Sequence, residues 1–308
     1  PAAEYPASSI NGLVTAISPA AHDSPQRASS SPSAAAATDI AVIGPMARSA
    51  ADLSAALAVI AGPDEAETEL SIHLPRPRKV SLKGLRAAVW SHQPRQETDE
   101  EITAQIEGLA SVLEREGAIV SRTARPAFDA GDAFHLYLQM LDTAWSARNT
   151  EAMLEEKRGR KAAIVTDAMN ADDVMACCVD MSHREWLGLN EKRHKFRRAW
   201  GTFFQEWDVL LCPPIATTAL PHMQEGAVWE RRMTVNGREI AYNDMLFWPG
   251  LTCGYHLPAT VAPIGVSRAG LPIGVQIAGP LYGDRTTIAV AEMLEQVGYR
   301  FVPPPGWA

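Results

Sequence analysis

Two apolar runs near the C-terminus constrain this chain more than anything else in it. They are Leu257-Pro258-Ala259-Thr260-Val261-Ala262-Pro263-Ile264-Gly265 and Gly270-Leu271-Pro272-Ile273-Gly274-Val275-Gln276-Ile277-Ala278-Gly279-Pro280. Both are rich in β-branched residues, both are bounded by Gly and Pro, and a short Gly-containing link joins them. The pattern predicts two buried strands with sharply cut ends.

Upstream, strand and helix signals alternate. Ile40–Ile43 reads as a strand, followed by Ser49-x-x-Asp52, a capping-box pattern, with Leu53, Leu57 and Ile60 on one helical face. Residues 63–84 read as an irregular connection and Leu85–Trp90 as a strand. Thr98-x-x-Glu101 opens a helix whose Ile102, Ile106, Leu109 and Leu113 share a face; Gly117 ends it in a left-handed cap, and Ala118–Ser121 returns to strand. Strand, helix and strand in that order predict a parallel crossover. From Ala130 to about Gln205 the pattern is mainly helical, with Phe134, Tyr137, Met140 and Trp145 either as helix–helix core or as the lining of an acyl or amine pocket. Asp208–Cys212 is a strand, Asn236-Gly237 a hairpin turn, and Asp284 the cap of a last helix ending at Gly298.

Composition narrows the class. Hydrophobic residues make up 46% and charged residues 21%, as in globular chains. A net charge of −8 without a Lys/Arg patch argues against nucleic acid as a partner. The densest basic run, Lys157-Arg158-Gly159-Arg160-Lys161, reads as a solvated helix face or helix end. Cys177, Cys178, Cys212 and Cys253 match no zinc spacing and read as reduced thiols of a cytoplasmic protein. No run of 18 apolar residues predicts a membrane span. The eight histidines form no ligand pair, and there is no G-x-G-x-x-G or phosphate loop, so no metal or other cofactor is expected. The opening Pro1-Ala2-Ala3-Glu4 leads to the expectation that the chain begins inside something longer, or after processing.

Three blocks carry a family resemblance. Gly44-Pro45-Met46-Ala47-Arg48-Ser49 with Asp52-Leu53, the run Trp207-Asp208-Val209-Leu210-Leu211-Cys212-Pro213-Pro214, and the C-terminal pair of strands resemble, in order, elements of the amidase-signature hydrolases. The resemblance implies an α/β fold, a mixed β-sheet core flanked by helices, incomplete at its N-terminal side. It divides the chain into an Ala/Ser/Pro-rich irregular arm over 1–37 and the C-terminal part of an amidase-like domain over 38–308. Within the latter, a mainly helical region near 130–206 is expected to cover the pocket. The implied substrate is a small-molecule amide, a linear carboxamide cleaved at its C–N bond through a serine acyl-enzyme.

The family's catalytic lysine and two serines have no counterpart here. Those serines lie on Gly/Ser-rich loops, where glycine lets backbone N–H groups reach the substrate carbonyl. Neither Ser8-Ser9 nor Ser29-Ser30-Ser31 has such glycines, and the first lysines, Lys79 and Lys83, follow the serine clusters. No G-x-S-x-G, S-x-x-K or H-E-x-x-H motif replaces them. Residues 4–37 read as an altered or frame-shifted version of the family's connection, or as sequence that is not native to the protein. No catalytic residue is therefore assigned. The resemblance places the substrate-binding candidates Cys253, Tyr255 and His256 on the loop entering the first C-terminal strand, with Cys253 where many members carry Asn. Gln276 is a fourth candidate, either a ligand contact or a buried amide with a structural partner. Arg48 and Asp52 read as a local ion pair or packing anchor rather than a catalytic pair. Two readings stand: an amidase whose nucleophile is not in this chain, or a non-catalytic amidase-like subunit or binding module. Exposed sheet edges predict aggregation, or pairing with a second copy or a completing chain.

Overall fold

The computed structural model describes residues 13–16, 39–40, 44–63, 69, 71–165, 169–304 and 306. Among the described residues, seven strands form one mixed sheet: β1 (Leu13–Ala16), β2 (Met46–Ala47), β3 (Arg86–Val89), β4 (Ile119–Ser121), β5 (Val209–Cys212), β8 (Ala259–Val266) and β9 (Pro272–Ala278). Across the sheet they run in the order β2-β1-β8-β9-β5-β3-β4. The C-terminal runs are β8 and β9, antiparallel neighbours inside this sheet, with Ala259 opposite Ala278 and Thr260 opposite Ile277. β3 pairs in parallel with both β4 and β5, as the strand–helix–strand reading requires. Of the expected strand at Ile40–Ile43, Ile40 lies in a turn and the other three fall outside the described residues. Four residues of the Ala/Ser/Pro-rich arm form β1, beside β8; the rest of the arm lies outside the described residues.

Side-chain alternation along the strands makes two cores. Ala87, Val89, Val209 and Leu211 point to one face, beneath α1 (Ala50–Ile60), α2 (Glu100–Arg115) and α8 (Asp284–Gln296). Ala88, Trp90, Leu210 and Cys212 point to the other, beneath α3 (Ala130–Trp145), α6 (His183–Glu206) and α7 (Phe247–Cys253). The helical stretch is completed by α4 (Glu151–Ala163) and α5 (Ala171–Ala176). Phe134, Tyr137 and Met140 are buried there, whereas Trp145 is exposed. A two-stranded hairpin of β6 (Arg232–Val235) and β7 (Arg238–Ala241) turns at Asn236 (φ 51°) and Gly237 (φ 75°), the left-handed pair that a two-residue hairpin favours.

The helix ends show where local signals were sufficient. Ser49 caps α1 by accepting from the Asp52 N–H, and its hydroxyl donates to the Asp52 carboxylate at 2.8 Å. The Ala50 N–H is taken by Glu295 of α8 at 2.8 Å, so the last helix helps cap the first. A cap of this kind contributes about 1 kcal/mol. Gly117 adopts φ 85° after α2, as expected. Two expected caps differ. Asp99, not Thr98, caps α2, because the Thr98 hydroxyl accepts the Trp248 indole N–H at 2.9 Å, and a buried indole needs an acceptor. Gly283 occupies the cap position of α8, with Asp284 buried in its first turn. Arg48 lies over the Phe301 ring (5.4 Å) while the Asp52 carboxylate engages Ser49, so Arg48 is a packing anchor.

Candidate functional site

The last residue of α7 and the loop from it to β8 carry three of the four expected site residues, Cys253, Tyr255 and His256. α7 is seven residues long and ends at Cys253; Gly254 follows, and the Leu257 N–H returns to the Thr252 carbonyl at 3.1 Å. That tight reversal holds His256 at φ 59°, a left-handed conformation rare outside glycine and asparagine.

His256 is thereby presented to Asp39. Its Nε2 lies 3.3 Å from one Asp39 carboxylate oxygen, and the Arg193 guanidinium donates to the other at 2.7 Å. Arg193 comes from α6 and is almost fully buried (side chain 5% exposed). Asn190, one turn earlier, accepts from Arg193 Nη2 at 2.7 Å and from Nε at 3.2 Å, so most of the guanidinium is satisfied. Burial alone would raise the Asp39 carboxyl, but hydrogen bonds from His256 and Arg193 outweigh it and hold Asp39 below the usual carboxylate range. Cys253 donates its thiol to the Ile40 carbonyl at 2.6 Å, and burial pushes that thiol up to about 12.

The other two candidates are committed to the core. The Tyr255 hydroxyl donates to the Ala133 carbonyl at 2.6 Å, its ring packs against Phe128 and Phe196, and burial raises its phenol. Gln276 donates to the Trp248 carbonyl at 3.1 Å and to Cys212 Sγ at 3.2 Å, and accepts from Thr252 at 3.3 Å. All of its hydrogen-bonding groups are used by neighbours of β9. The structure therefore brings Cys253 and His256 together around Asp39 and leaves Tyr255 and Gln276 as supports behind them.

Asp39 also lines a cavity of about 780 Å³ roofed by the helical layer. Met140, Leu154, Val179 and Trp186 supply apolar wall, and Asp142, Lys157 and Arg148 supply charge. Asp142 is buried and paired with Lys157; burial nonetheless raises its carboxyl, although the Lys157 ammonium opposes the rise. The basic run is thus not simply solvated: Lys157 reaches Asp142, Arg158 binds Asp180, Glu151 and Glu155, and Arg160 binds Asp173. Burying no residue of its own, α4 is held in place through these contacts rather than by an apolar stripe. A second cavity, also about 780 Å³, lies between the 92–100 loop and the β6–β7 hairpin, with Asp244 on its wall.

Sequence reasoning missed Asp39, Arg193, Asp142 and Lys157. One signal was available: Arg193 falls seven and eleven residues before Trp200 and Phe204, on the buried face of α6. A guanidinium in an apolar stripe implies a buried acceptor, though not which one. Among the described residues, no group of three or more His, Cys, Asp or Glu side chains could hold a metal ion. No described helix is long and apolar enough to cross a membrane.

Comparison with known proteins settles the family. The amidase family profile matches residues 23–288, most of the chain. The chain belongs to the amidase family. Among curated relatives, a glutamyl-tRNA(Gln) amidotransferase subunit of Synechococcus sp. (strain CC9902) is 29% identical, over 84% of this chain and 55% of the relative. The corresponding subunit of Brevibacillus brevis (strain 47) is 23% identical, over 88% of this chain and 57% of the relative. Our chain thus spans little more than half the length of these relatives. In fold it is similar to a bacterial aryl acylamidase of the amidase-signature enzymes (TM-score 0.68, 20% identity, 94% of this chain and 58% of that one). It is also similar to 6-aminohexanoate cyclic dimer hydrolase (TM-score 0.66, 21% identity, 97% and 63%). The mixed sheet flanked by helices on both faces is therefore the amidase-signature architecture.

Proposed function

We propose that this amidase-family chain supplies the later strands, the covering helices and part of the substrate pocket of an enzyme that hydrolyses linear carboxamides through a serine acyl-enzyme. The observation carrying the proposal is the family match over 23–288 on a sheet that keeps the β8–β9 pair at its centre. In this reading residues 38–308 are the C-terminal part of the amidase-like domain, and the helical region near 130–206 covers the pocket. Cys253 and His256 form the pocket edge beside Asp39, while Tyr255 and Gln276 hold the wall from behind. The chemistry needs a nucleophile, a base and oxyanion donors. The family's Gly/Ser-rich loops that supply them are not among these 308 residues. A completing chain would supply them, a second copy could at most cover the exposed sheet edges, and we place the assembly in the cytoplasm.

That same absence favours a second reading, a non-catalytic amidase-like subunit or binding module. Several relatives are themselves named as one component of an amidotransferase. Labelling the folded chain with a serine-reactive fluorophosphonate, and locating the modified peptide by mass spectrometry, separates the alternatives. No labelling of the chain alone, with labelling and amide hydrolysis gained on adding a completing chain, is the expected result. Stoichiometric labelling of one serine in the isolated chain would show that it carries its own nucleophile. Hydrolysis absent in every assembly would leave the binding module.

A further inference from the structure

We propose that the cavity under α3 and α4 binds a small carboxylate with an apolar body, held by Arg148. Three carboxylates line the cavity, and each already has its cation. Asp39 is bound by Arg193 and His256, and Asp142 by Lys157. Asp180 accepts from Arg158 Nε at 2.8 Å and Nη2 at 2.7 Å. Glu151 and Glu155, which also touch Arg158, are 79% and 77% exposed and are screened by solvent.

Arg148 is different. It ends the short helix Ser146–Arg148 between α3 and α4, lines the cavity, and has no carboxylate partner among the described residues. A guanidinium presents a planar fork that matches a carboxylate, and it stays charged at any physiological pH. Beside it the wall is apolar, with Met140, Leu154, Val179 and Trp186. A cavity of about 780 Å³ lies within the range of small-molecule sites. The arrangement suits an anionic head on a hydrocarbon body and gives a cationic ligand no unpaired carboxylate. This inference does not depend on the chain hydrolysing amides.

The test is isothermal titration of the full chain with acetate, butyrate and hexanoate, with hexylamine and hexanamide as controls. Hexanoate should bind, with affinity rising about fourfold for each added methylene as each CH₂ is buried. Arg148→Gln should weaken hexanoate at least about tenfold, the loss of a charge-assisted hydrogen bond. Arg148→Lys should retain part of the affinity, and Arg300→Gln, a change at an exposed site elsewhere, should leave it unaltered. Arg148 is exposed, so its variants should fold normally. Hexanoate that does not bind, binding unchanged in Arg148→Gln, or hexylamine binding as tightly as hexanoate would each overturn the proposal.

Discussion

Removing either partner of the Asp39–Arg193 pair should cost stability, and the two removals should cost different amounts. Arg193 is 5% exposed at its side chain and Asp39 30%. Losing one partner of a fully buried pair costs about 3–5 kcal/mol, because the survivor is left charged in a poor solvent. Asp39→Ala strands the deeply buried guanidinium, which keeps only Asn190 and its contact with His256. We expect a loss of about 3 kcal/mol, the lower end of that range, since Asn190 still satisfies two N–H groups. Arg193→Met keeps the packing volume and strands a carboxylate that water can still reach and that His256 still binds. That should cost about 1–2 kcal/mol. The double variant removes both charges and should be less destabilised than the sum, with a coupling of about 1–2 kcal/mol. Urea unfolding of the four proteins at pH 7 gives the cycle. The pH dependence supplies a second axis. Asp39 is held below its ordinary value, so its contribution is fully present above the unfolded carboxylate value of about 3.9. It is lost as pH falls through the lower folded value. The gap between wild type and Asp39→Asn should be flat from about pH 5 to 7 and close below about pH 4. If Arg193→Met costs more than Asp39→Ala, or the two effects add within error, the burial argument is wrong.

Two further outcomes follow from the core. Burial pushes the thiols of Cys178, Cys212 and Cys253 to about 12. Cys177 and Cys253 are both partly exposed, but the Cys253 thiol is held by the Ile40 carbonyl. Iodoacetamide at pH 8 should therefore modify Cys177 alone in the folded protein and all four cysteines after unfolding. Peptide mapping that finds Cys253 modified first would refute the closed loop described for it. Gly250 packs against the face of Tyr137, where an added Cβ would overlap the ring. Gly250→Ala should cost about 1–3 kcal/mol in thermal or urea unfolding, and Tyr137→Leu in the same chain should recover part of it. A neutral Gly250→Ala would mean that α7 and α3 are not in this contact.

What the sequence determined by itself is the set of features whose causes lie within a few residues. The Gly/Pro-bounded runs became β8 and β9, Ser49 capped α1, Gly117 ended α2, and Asn236-Gly237 turned a hairpin. Each follows from backbone preference or a hydrogen bond spanning three or four positions, and the order of the blocks was enough for the family. The site was legible only in part. Tyr255 and Gln276 look the same in sequence whether their polar ends face a ligand or a buried carbonyl, and only the neighbours contributed by α3 and α7 decide between the two. Thr98 matched a capping pattern, yet a tryptophan 150 residues away took its hydroxyl. The Asp39–Arg193–His256 cluster joins positions 154 and 63 residues apart. A buried charge is tolerated only where the fold brings its partner, and no local pattern records where along the chain that partner lies. The strands and caps were local chemistry; the charged cluster around Asp39 was decided by packing the helical layer onto the sheet.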